Sequence, residues 1–150
     1  MTSGDRAHFV PFEAVDHTAD LALLVRGRTF CELFANAALG LTAFLLDPGT
    51  IAPRMEEQIS LEGADREECL VGWLNELLYR EEVHRMVYRR FEVHEAGPSA
   101  VRATVRGERL DAARHRIHTD IKAATYHDLH FDQEAHPLGS LHRVRIVLDI

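Results

Sequence analysis

Residues 90–106 read RFEVHEAGPSAVRATVR, and this stretch decides the fold class. Phe91 and Val93 alternate with Arg90, Glu92 and His94, while Val101, Ala103 and Val105 alternate with Arg102, Thr104 and Arg106. Apolar residues at every second position mark strands that bury one face. Gly97-Pro98-Ser99 supplies a turn between the two runs, so they should pair as an antiparallel hairpin. Downstream the same period returns with no helix between strands. Ile121, Ala123, Thr125, His127, Leu129 and Phe131 share one parity, opposite Lys122, Ala124, Tyr126, Asp128 and His130. At the chain end Val144, Ile146, Leu148 and Ile150 oppose Arg143, Arg145, Val147 and Asp149. Upstream, Leu21–Val25 forms an apolar strand and Ile59 with Leu61 marks a short one.

Two helices interrupt this pattern. Thr29 and Glu32 have the spacing in which a hydroxyl caps one amide and a carboxylate another. Phe30, Leu33, Phe34, Ala37, Leu41, Phe44 and Leu45 then follow helical spacing until Asp47-Pro48-Gly49 stops it. Asp65 and Glu68 repeat the capping relation, ahead of a stripe of Leu70, Trp73, Leu74, Leu77 and Leu78. Arg66, Glu67, Asn75, Glu76 and Arg80 make the wet face of this second helix. Consecutive strands with two helices lead to an α+β class: a largely antiparallel sheet with both helices packed on one face.

The chain has 150 residues and no linker long enough to divide it, so residues 1–150 form a single domain. A formal net charge of −7 excludes naked nucleic acid as sole partner, because phosphate binding needs a basic excess. Cys31 and Cys69 lie inside apolar helical patterns without a CxxC or a Cys/His neighbour, and read as small buried hydrophobes. The first 20 residues carry acids and a proline but no apolar run, and no stretch reaches the length of a membrane span. The expectation is a soluble, cytoplasmic protein.

The familiar catalytic signatures are missing: no GxGxxG, P-loop, HExxH or GxSxG. The ten histidines are scattered, His115 and His118 are too isolated to define a zinc site, and most should be solvated. Three features stand out. Asp16-His17-Thr18-Ala19-Asp20 precedes the strand from Leu21, and in an extended chain Asp16, Thr18 and Asp20 point one way, as oxygen ligands of a hard cation would. At the other end, Ile150 is in phase with the buried parity; if it packs, its α-carboxylate is held beside the Asp149 side chain. Finally, Lys122 is the single lysine among 17 basic residues, on the polar side of its strand with Tyr126 and Asp128, where it could meet a ligand or partner.

Taken together and in order, these segments resemble the archease family. The resemblance runs through Asp16-His17-Thr18-Ala19-Asp20, Phe34-Ala35-Asn36-Ala37-Ala38 and Asp65 to Trp73-Leu74-Asn75-Glu76-Leu77-Leu78. It continues in Gly107-Glu108 with Asp111 and His115, in Ile121-Lys122-Ala123-Ala124-Thr125-Tyr126-His127, and in Leu148-Asp149-Ile150. It implies an α+β fold with an inserted strand-helix-strand-strand module. It also implies a function: a protein cofactor of RtcB-type RNA ligases that promotes ligase guanylylation and turnover in tRNA splicing or RNA repair. RNA would be met only through the ligase. Carried over by position, the resemblance implies a divalent metal, Ca²⁺ with Mg²⁺ or Mn²⁺ as alternatives, held by Asp20, Asp149 and the terminal Ile150, with Lys122 facing the ligase. Ala124 stands where the family usually has a branched residue, and Leu21-Ala22 where Ile-Gly is commoner; neither change removes a carboxylate.

Electrostatics is consistent with that ligand set. Carboxylates about 5 Å apart repel by about 3 kcal/mol per pair at an effective dielectric near 20. A dication offsets this repulsion, and donors made only of oxygen favour Ca²⁺ or Mg²⁺ over zinc. Two other readings compete. A metal-dependent phosphoesterase would use the same carboxylates with His17 or His127 for proton transfer. A chaperone-like binding module would use the acidic surface without chemistry.

Overall fold

The computed structural model describes residues 8–15, 20–137 and 139–150. Its order is β1 (Phe12–Val15), β2 (Leu21–Gly27), α1 (Phe30–Leu45), a 3-10 turn (Pro48–Thr50), β3 (Met55–Glu62), α2 (Arg66–His84), β4 (Met86–Ala96), β5 (Ala100–Arg109), β6 (Ala123–His136) and β7 (Gly139–Asp149). The class is α+β with antiparallel pairing throughout, as the alternating runs require. The strands divide into a four-stranded sheet, β1-β2-β7-β6, and a three-stranded sheet, β3-β5-β4. The second sheet and α2 together form the strand-helix-strand-strand module.

Both helix starts follow the expected chemistry. The Thr29 hydroxyl accepts the Glu32 amide at 3.0 Å, and the Asp65 carboxylate accepts the Glu68 amide at 2.8 Å. The reciprocal half of the first capping pair falls one residue early, because Glu32 accepts the amide of Arg28 rather than that of Thr29. Asp47 ends α1 by capping the following 3-10 turn through the Gly49 amide.

α1 packs against β2 of one sheet and β4 of the other, so the core lies between the two sheets. Trp73 is fully buried, donates its indole N–H to the Phe34 carbonyl at 2.9 Å, and meets Phe91 edge-on. That hydrogen bond joins the two helices and satisfies the one polar atom the indole brings into the core. Asn36 secures the other side of α1 by donating to the Arg26 carbonyl at 2.8 Å. At Gly107 the chains come very close: a Cβ there would lie 1.9 Å from the Val87 carbonyl oxygen. Only glycine lets β4 and β5 meet at that point.

The outer face of the four-stranded sheet carries a row of charges. Arg26 pairs with Glu13 at 2.8 Å and Glu134 at 3.1 Å, and Arg143 pairs with Glu134 at 2.6 Å and Asp132 at 2.8 Å. Glu134 therefore links β2 to β7 from β6. Burial of Cys69 and partial burial of Cys31 agree with the apolar reading of both, and both thiols are free.

Candidate functional site

The register of the four-stranded sheet brings the two acidic segments of the chain together. Leu21 of β2 faces Leu148 of β7, so one step outward along each strand lie Asp20 and Asp149. Paired positions of an antiparallel ladder point to the same face, which sends both carboxylates to the outer side of the sheet. On the other flank of β7, Asp149 faces Ala123, and its carbonyl accepts the Lys122 amide at 2.7 Å. Asp20, Asp149, Ile150 and Lys122 thus share one end of one sheet. Asp16, His17, Thr18 and Ala19 lie outside the described residues.

Two sequence expectations about this end are corrected. Ile150 does not pack as a core residue: its side chain is 48% exposed, and β7 stops at Asp149. The chain end is held instead through its backbone, by the Lys122–Asp149 hydrogen bond. Nor does Lys122 sit within a strand, since β6 begins at Ala123.

The parity of β6 also breaks. Thr125 faces Val147, yet His130 faces Arg145, so β6 takes five residue steps while β7 takes two. The surplus forms a bulge at 126–129, with Asp128 in the left-handed region at φ 54°. Ahead of the bulge, Ile121 and Ala124 are both buried, although simple alternation puts them on opposite faces, because Ile121 precedes the start of β6 and does not follow its parity. Tyr126, His127 and Asp128 project into solvent, and His127 lies 3.3 Å from the Asp128 carboxylate.

Asn75 is a residue that sequence reasoning placed wrongly. It belongs to the wet face of α2 by periodicity, but its amide oxygen accepts the Ala124 N–H at 2.8 Å and its amide nitrogen donates to the Ala124 carbonyl at 3.2 Å. One side chain here does what a neighbouring strand would do, and fixes the start of the edge strand β6 beside Lys122 and Asp149.

A second acidic centre lies between the module and the segment leading to β6. Glu108 is 5% exposed. Its carboxylate accepts both terminal nitrogens of Arg114 (one at 3.0 Å), the Ala52 amide at 2.7 Å and His115 Nε2 at 3.0 Å. Arg114 above all holds its carboxyl far below the usual range, at about 2, with the Ala52 amide and His115 adding to the effect against the cost of burial. His115 is the exception to the expectation of solvated histidines: its ring is fully buried and Nδ1 accepts the Asp111 amide at 2.9 Å. The proton is therefore on Nε2, which donates to Glu108. Both ring nitrogens are engaged, so this histidine holds chain, not metal. From this anchor the chain runs on through the His118 amide, bonded to the Leu45 carbonyl at 2.7 Å, to the buried Ile121 and then Lys122.

A family model described as "Archease protein family (MTH1598/TM1083)" matches residues 12–150, nearly the whole chain. The chain belongs to the archease family. It is similar to proteins named "Protein archease" from Methanopyrus kandleri, 38% identical with 83% of this chain and 91% of the relative covered, and from Methanosarcina acetivorans, 36% identical with 83% and 88% covered. The solution structure of Methanobacterium thermoautotrophicum protein 1598 matches with a TM-score of 0.75 and 27% identity over 93% of this chain and 99% of that one. The archease resemblance and the fold class read from the sequence are thereby established. Among the described residues no helix is long and apolar enough to cross a membrane.

The donor chemistry at the sheet end fits a hard dication. Asp20 and Asp149 offer carboxylate oxygens from adjacent strands on one face, and no nitrogen or sulfur donor is part of the set. Among the described residues, no three His, Cys, Asp or Glu side chains cluster closely enough to hold an ion.

Proposed function

We propose that this archease-family protein is an accessory activator of an RtcB-type RNA ligase, promoting guanylylation and repeated turnover of the ligase without turning over a substrate itself. The observation that carries this reading is the β2–β7–β6 register, which gathers Asp20, Asp149 and Lys122 at one sheet end in a chain of archease sequence. Asp20, Asp149 and the Ile150 carboxylate would hold the divalent ion, Ca²⁺ by their donor type. When bound, that ion supplies positive charge near the ligase site and offsets the repulsion among the acids. The chain's own residues keep the carboxylates in register and leave Lys122 exposed at the same sheet end. The net charge of −7 suits a cationic RNA-binding enzyme better than RNA, so contact with RNA runs through the ligase.

The test is guanylylation of a purified RtcB-type ligase with GTP and metal, with and without this protein at substoichiometric and saturating levels. A faster guanylylation and more than one ligation per ligase molecule are expected. No change in either quantity overturns the proposal. Turnover of phosphate esters by the isolated protein with Mg²⁺, Mn²⁺ or Ca²⁺ would replace it with a hydrolase.

A further inference from the structure

Among the described residues, the bulge at 126–129 is the one register shift of the four-stranded sheet. Its flanks are pinned: Ala124 to Asn75, the Thr125 hydroxyl to the Val147 carbonyl at 2.9 Å, and Leu129 against the core. Between these fixed points Asp128 adopts a left-handed backbone that residues other than glycine rarely take. The result is to hold a tyrosine, 57% exposed, off the edge of the strand that begins next to Lys122. An exposed aromatic ring on a fixed backbone loses little freedom when it is covered, which is the property of an interface anchor.

The rim of this ring selects its partner. Glu68 and Asp65, both exposed at the start of α2, lie close enough to raise the Tyr126 phenol, after the larger effect of partial burial. An aromatic face edged by acids attracts a guanidinium or ammonium group and repels a phosphate. RNA is thereby disfavoured as the occupant. An enzyme that grips RNA must itself display arginine and lysine around its substrate path, and such a surface matches the ring and its rim.

We propose that the Tyr126–Asp128 bulge is the docking element for the ligase, with the Tyr126 ring seating an arginine or lysine of that enzyme. This assignment rests on the function proposed above and concerns affinity, whereas the Asp20–Asp149 end concerns activation.

The experiment is a titration of full-length protein into an RtcB-type ligase, reading guanylylation rate against concentration, for wild type, Tyr126→Phe, Tyr126→Ala and Glu68→Lys. Tyr126→Ala should raise the half-maximal concentration at least tenfold, about 1.4 kcal/mol, with the plateau rate and the melting temperature unchanged. Tyr126→Phe, which keeps the ring, should stay within threefold. Glu68→Lys reverses an exposed rim charge and should weaken binding severalfold, with a smaller loss at high salt. A Tyr126→Ala protein whose half-maximal concentration is within twofold of wild type overturns the docking assignment while leaving the activator function standing. A wild type that neither binds nor stimulates the ligase overturns both.

Discussion

Two acidic centres of this molecule lie in opposite circumstances. Glu108 is sealed inside, with Arg114, His115 and the Ala52 amide all turned onto one carboxylate. At the sheet end, Asp149 is exposed and stands across from Asp20, one step past the Leu21–Leu148 pair, with the Lys122 backbone alongside. The first arrangement spends its charge on holding chain: it ties the segment after β5 to the turn before β3. The second keeps its charge at the surface, where something from outside can meet it. Burial, more than the count of acids, separates a structural cluster from a candidate site.

Substitutions can break this contrast. The largest effect is expected at Glu108→Ala, which takes the acceptor from the Arg114 guanidinium and the Ala52 amide, leaves buried His115 only the Thr50 carbonyl, and should cost about 3 kcal/mol. For a chain of this size that is a drop of roughly 6–12 °C in melting temperature. The same centre has a pH signature. Because the folded Glu108 carboxyl titrates at about 2, below its ordinary value of 4.5, its contribution is complete above pH 4.5 and fades as pH falls towards 2. Melting curves of wild type and Glu108→Gln should therefore converge over that window; a gap that stays constant contradicts the assignment.

The sheet end should respond in the reverse manner. Asp149→Ala or Asp20→Ala is expected to leave the metal-free melting temperature nearly unchanged, within about 0.5 kcal/mol. With calcium at about 100 times its Kd, wild type gains about 2.7 kcal/mol of stability by mass action, and the variants should gain none. Differential scanning calorimetry with and without calcium measures both quantities, and a full shift in either variant removes that aspartate from the ligand set. A smaller effect belongs to Asn75→Ala, which removes both hydrogen bonds to Ala124 and should cost about 1.5 kcal/mol. A cost below about 0.3 kcal/mol would mean that β6 does not need the clamp.

Much of this was legible in the sequence because it is local. Thr29 and Asp65 announce their helices by caps whose partners are three residues away, and residues 90–106 announce their hairpin by period and turn. The meeting of Asp20 with Asp149 was legible only through family resemblance, since strand order is a long-range fact. Asn75 was misread because helical periodicity marks it as solvent-facing, whereas its partner, Ala124, is 49 positions along the chain. His115 looked isolated for the same reason: Glu108 and Thr50 reach it only after the chain has folded back. The bulge at 126–129 escaped because the alternation of Thr125, Leu129 and Phe131 reads smoothly through it. A surplus of three residues shows only against β7. Division into two sheets, too, depends on which strands meet and not on how any one of them is patterned.

The grip of Asn75 on Ala124 makes one proton in the protein a timepiece. The Ala124 amide proton rests on a side chain from the inserted module, so it can exchange for deuterium only when α2 lifts away from β6. Its isotope-exchange rate, followed by NMR against those of residues further along β6, reports how often module and main sheet part company while each remains intact.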